Sequence, residues 1–127
     1  MVHWSDKYIG RAYIAREYDC AVMCEHVAFD EFDRILNLPA DRAMGVEASV
    51  HQLDGLLEDF GAPAETPAEG DAVLLFSRGR RRHIGIYCLI DGEPYVLHNL
   101  EKAGVCRHLI RHLVNIGMGV EGYYQWK

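Results

Sequence analysis

The chain has 127 residues, half of them apolar, with 19 acidic against 13 basic side chains and a formal charge of −6. That length and composition fit one domain with its own core and exclude a disordered chain. The acidic balance argues against a general nucleic-acid or anionic-membrane binder, and no apolar run approaches the roughly twenty residues that span a bilayer.

The opening stretch MVHWSDKYIGRAY holds no apolar run suited to a secretory signal, so the chain is expected to be cytoplasmic as synthesised. Residues Ala21 to Leu36 read as a helix. Val22, Phe29, Phe32, Ile35 and Leu36 fall on one side at helical spacing, and His26, Asp30, Asp33 and Arg34 on the other. Asp19 suits the N-cap and Pro39 closes the segment. A second helix is predicted over Ala48 to Phe60, with Leu53, Leu56, Leu57 and Phe60 as its apolar stripe and Gly61 as its stop. APAETPAEG then reads as a surface connection. Beyond it the period becomes that of strands: AVLLF, HIGIYCLI and PYVLHNL, with Asp91-Gly92 as a hairpin turn between the last two. RHLIRHLV is expected to form a short helix or irregular cover, and EGYYQWK an aromatic-rich terminal strand. Helices first and an antiparallel sheet second define an α+β domain spanning residues 1–127.

The chain carries four cysteines. In a reducing compartment most are expected to be small buried hydrophobes, Cys88 in IGIYCLI above all. Cys20 differs because it heads a helix, where unpaired N–H groups and the helix dipole favour a thiolate. Such a thiol needs a base within reach. His83 opens the strand HIGIY and shares one face with Gly85 and Tyr87, and Gly85 leaves room for another element, such as a helix end, to approach. His98, on the next strand, is placed to hold the His83 imidazole in one tautomer, as the third member of a triad does.

The run KYIGRAYIAREYDCAVMC, followed by EGDAVLLFSRGRRRHIGIYCLIDGEPYVLHNL, resembles the NlpC/p-sixty superfamily of cysteine peptidases. Members typically read Y-hydrophobic-G-x-x-Y before D-C-S-G, then G-D-hydrophobic-x-x-F, H-hydrophobic-G-I-Y and a strand with a polar residue. The resemblance covers Tyr8 to Asn99. It implies a papain-like fold in which N-terminal helices pack on an antiparallel sheet, with Cys20 as nucleophile, His83 as base and His98 as its orienting partner. It also implies substrate-binding roles for Tyr13 and Asp19, and hydrolysis of an amide bond in peptidoglycan stem peptides. The Cys20 backbone N–H would serve as oxyanion donor. The chain departs from the pattern where Ala21-Val22 replaces Ser-Gly and where IAREY replaces a glycine pair.

Three other constellations stand apart from that trio. MCEHV is similar to the Asn-Cys-Glu-His-Phe signature of the lecithin:retinol acyltransferase group, but the asparagine is missing and the order relative to the histidine strand is reversed. Cys20, Cys24 and His26 with Cys106, His108 and His112 include an i, i+4 histidine pair, yet neither C-x-x-C nor H-E-x-x-H occurs, and neither a metal nor another cofactor is expected. SRGRRRH reads either as a solvated hairpin tip or as an arginine cluster capturing an anionic substrate. The expected activity is therefore that of a cysteine peptidase, delivered to the periplasm or cell wall by a phage tail or secretion machine, or retained for cytoplasmic recycling. The alternative is an assembly protein of such a machine, on the same fold, with a vestigial trio.

Overall fold

Alternating apolar strands need both faces covered, and the chain meets that need with a single six-stranded sheet. The computed structural model describes residues 2–15, 17–36, 61–77 and 82–126. The helix expected over Ala48 to Phe60 lies outside the described residues, as does most of the arginine loop. The strands are β1 (Gly61–Pro63), β2 (Ala72–Ser77), β3 (Arg82–Ile90), β4 (Glu93–Leu100), β5 (Gly104–Leu109) and β6 (Met118–Trp126). Their order is β1-β6-β2-β3-β4-β5, and every neighbouring pair is antiparallel. With α1 (Cys20–Phe32), the one α-helix among the described residues, packed across it, this is a mixed α+β fold.

The β3–β4 hairpin fixes the register on which the site depends. Asp91 and Gly92 have φ of 51° and 76°, the left-handed pair that a tight two-residue hairpin turn demands. Gly85 consequently faces His98, Ile86 faces Leu97, and Tyr87 faces Val96. Alternation then sorts the sheet into two faces. Ala72, Leu74, Ile84, Ile86, Cys88, Leu97 and Val105 form one core with α1. Val73, Leu75, Tyr87 and Val96 form a second, covered by Leu113 from a 3-10 segment, Ile110–Ile116.

The helix buries a different stripe from the one predicted. Cys20, Met23, Cys24, Val27 and Ala28 are buried at i, i+3, i+4, i+7 and i+8. Of the predicted stripe, Leu36 is buried and Phe32 packs against the core, but Phe29 is 57 % exposed and Ile35 86 %. Both stripes obey the helical period, but the small side chains of Cys20, Cys24 and Ala28 let the helix lie close on Ile84, Ile86 and Leu97, which fill the space themselves. The helix also stops early. Asp33 takes a left-handed conformation and its N–H bonds Ala28 O, ending α1 before Leu36.

Two further expectations need correction. The surface connection after residue 60 begins with a strand, because Gly61–Pro63 pairs with the edge of β6 from Gly61↔Trp126 to Pro63↔Tyr124. RHLIRHLV is half strand: Arg107, His108 and Leu109 belong to β5, whose ladder with β4 satisfies their backbone, and only the remainder coils into the 3-10 segment. No helix among the described residues is long and apolar enough to cross a membrane.

Candidate functional site

The helix start is built from short-range bonds. Ile14 and Tyr18 pair as an isolated bridge, closing the IAREY stretch into a tight loop. Asp19 follows in extended conformation, and its Oδ1 accepts from Val22 N at 2.9 Å. Its carboxylate therefore caps α1, and the residue is fully buried. This is the predicted N-cap; the substrate-holding role has to work around that bond. Tyr13 is half-buried on the loop just before. Cys20, the first residue of α1, is likewise fully buried and already engaged in a polar or electrostatic interaction.

A residue without an assigned role ties this start to the sheet. Asn99 Nδ2 donates to Tyr18 O at 2.7 Å and lies 3.4 Å from Asp19 O. Asn99 alternates with His98 on β4, so it points to the α1 face while its neighbour points away. Its buried Oδ1 has no hydrogen-bond partner among the described residues.

On the other face His83 and His98 meet directly, His83 Nε2 lying 3.1 Å from His98 Nδ1. His98 is fully buried and His83 nearly so. Gly85 makes this possible in a different way from the one expected. A Cβ there would stand 2.6 Å from Val96 Cγ2 and 3.1 Å from His98 Cβ, so the missing side chain clears room for cross-strand neighbours within the sheet. The row continues: His98 Nε2 lies 2.9 Å from His108 Nδ1, and Cys106 Sγ is 3.8 Å from that same nitrogen. Register explains it, since His98 faces Cys106 and Val96 faces His108 across β4 and β5.

Burial first, then the neighbouring His83 and His108, holds the His98 imidazole well below the ordinary histidine range. Burial also lowers His108 and pushes the Cys106 thiol up to about 11. A neutral imidazole offers one donor and one acceptor, so the three tautomers are coupled. If His98 Nδ1 accepts from His83, then His98 Nε2 must donate to His108; reversing one bond reverses the other.

The structure thus brings His83 and His98 together on the face turned away from α1 and sets Cys20 in the core on the α1 side, at the helix start that Asn99 ties to β4. His26 is engaged elsewhere, 3.0 Å from the Tyr18 hydroxyl and 2.8 Å from Asp30 Oδ2. His112 is exposed in the 3-10 segment, so the i, i+4 pairing with His108 is not a helical one. Cys88 is fully buried, as expected, and burial pushes its thiol up to about 12. Asn99 had gone unassigned, and Cys106 and His108 enter the sequence pattern only as part of a wider metal set. Asn99 could have been found as a polar residue at an inward position of an apolar strand, and Cys106 and His108 by extending the β4 hairpin through Gly104. A groove of about 590 Å³ lined by residues that include Pro63, Glu65, Val120 and Tyr123 contains none of the predicted site residues.

No protein-family model matches the chain, and no curated protein is significantly similar to it.

Proposed function

We propose that the chain is a thiol-dependent amidohydrolase of the cysteine-peptidase type, with Cys20 as nucleophile, His83 as base and His98 as the residue that orients it. The observation that carries this reading is the His83 Nε2 to His98 Nδ1 contact of 3.1 Å between adjoining strands. With Nε2 committed to His98, Nδ1 of His83 is the nitrogen left to exchange a proton with Cys20. The reading requires the two, which belong to opposite faces, to meet past the end of β3 and β4 to which Asn99 ties the helix start. The helix start favours the thiolate, which attacks the amide carbonyl carbon while the Cys20 backbone N–H stabilises the oxyanion. The leaving amine takes the proton from His83, and water then attacks the thioester, returning the proton to the imidazole and freeing the acid. The motif resemblance between Tyr8 and Asn99 makes peptidoglycan stem peptides the first substrate class to test.

Full burial of Cys20 favours a second reading, an assembly protein of a phage tail or secretion machine that keeps the trio as a relic. Incubating the protein and a Cys20→Ala variant with peptidoglycan digests and free stem tetrapeptides separates the two. Cleavage products found by mass spectrometry with the first protein and absent with the second support the enzyme, and their masses name the bond. Equal inertness on both substrates leaves the assembly reading.

A further inference from the structure

We propose that His98, Cys106 and His108 form a binding site for a zinc-class divalent cation, held by His98 Nε2, His108 Nδ1 and Cys106 Sγ. These three atoms lie within 4.8 Å of one another, on side chains that β4 and β5 present from one face. Two nitrogens on a tetrahedral zinc stand roughly 3.3 Å apart, and a sulfur and a nitrogen roughly 3.6 Å. Two of the separations here are 2.9 Å and 3.8 Å, each within about half an ångström of those values. The third, Cys106 Sγ to His98 Nε2, lies within 4.8 Å, so a side-chain shift of at most about 1 Å seats the ion. Three protein ligands leave the fourth position to water, and a mixed imidazole–thiolate set selects zinc and its neighbours over magnesium or calcium.

The surroundings match what such a site needs. A ligating histidine is normally fixed through its second ring nitrogen, and His98 has that support in His83, 3.1 Å from its Nδ1. Packing fixes the ring further, since His98 is wholly buried, while Cys106 and His108 are half-buried and give the ion a way in. Ligation through Nε2 leaves the remaining ring proton on Nδ1, which then donates to His83 Nε2. Catalysis requires the opposite direction, because His83 accepts a proton at Nδ1 only while its Nε2 carries one and donates to His98, so metal loading and Cys20 chemistry are alternatives. The metal site itself uses neither Cys20 nor any step of hydrolysis, and it stands or falls separately from that reading.

The test uses the whole chain, stripped with chelator and titrated with Zn²⁺ by calorimetry and with Co²⁺ by absorption spectroscopy. One equivalent of either ion is expected, with a thiolate-to-cobalt charge-transfer band and the visible bands of a tetrahedral ion. Cys106→Ser should remove the charge-transfer band, His108→Ala should weaken affinity at least about tenfold, and Cys20→Ala should change neither. A rise in the unfolding midpoint of the unmutated protein with Zn²⁺ gives a check that needs no variant. No stoichiometric binding, or a charge-transfer band that survives Cys106→Ser and disappears in Cys20→Ala, would overturn the assignment.

Discussion

The two faces of the sheet are held together by different physics. Under α1 the contacts are mostly apolar and interchangeable: Leu74, Ile84, Ile86 and Leu97 meet Met23, Cys24 and Val27, and directional bonds enter at the helix start, through Asn99. On the opposite face Val73, Leu75 and Val96 give way to a row of imidazoles, in which each nitrogen needs a partner of the correct sense. A face of the first kind tolerates repacking. A face of the second kind specifies one arrangement, because a buried polar atom that loses its partner carries its desolvation cost alone. Asn99 joins the two, lying on the helix side of the strand whose other side carries His98.

The largest effect should come from the apolar face. Leu97→Ala leaves a cavity beneath α1 and is expected to cost about 2–5 kcal/mol in denaturant unfolding. Next is the bridge. Asn99→Ala removes the donor to Tyr18 O and is expected to cost about 1–3 kcal/mol, leaving a carbonyl near the helix start unpaired. A loss below a few tenths would show that the helix start does not depend on β4.

The imidazole face should reveal itself through pH. Because His98 is held well below its ordinary range, the unfolded chain takes up a proton below pH about 6.5 that the folded chain refuses. Stability is thus complete above that pH and falls as pH drops toward the folded value, at up to about 1.4 kcal/mol per unit. His108 adds less, since it is partly exposed and screened. Unfolding midpoints between pH 7.5 and pH 5 (roughly one unit either side of the unfolded histidine pKa) should slope downward, and His98→Gln should flatten the slope. The smallest effect belongs to the cap: Asp19→Ala should cost about 1 kcal/mol, and Asp19→Asn only a fraction of that.

Strands β2, β3, β4 and β6 were legible because each is a short run of apolar or aromatic residues bounded by turn residues, and Asp91-Gly92 alone fixes the register that joins His83 to His98. The helix was legible in its start and not in its buried stripe. Periodicity located two candidate stripes, and the choice between them rested on side-chain volume against a sheet that sequence does not display. RHLIRHLV misled for a related reason: its apolar spacing suits a helix, but β4 offered its first half an unpaired edge, and pairing there brought Cys106 and His108 to His98. Contacts made across two strands depend on register accumulated from several turns, and no single motif records them.

The central claim is that Cys20 is a nucleophile served by His83, and the alkylation rate of Cys20 as a function of pH tests it most directly. Iodoacetamide labelling of the native, chelator-treated protein, read by mass spectrometry of the Cys20 peptide, should reveal a thiol reactive well below the ordinary cysteine pKa of about 8.5. His83→Gln should return the profile to that ordinary value. A Cys20 that stays unlabelled until the chain unfolds, or one whose profile ignores His83, would contradict the account.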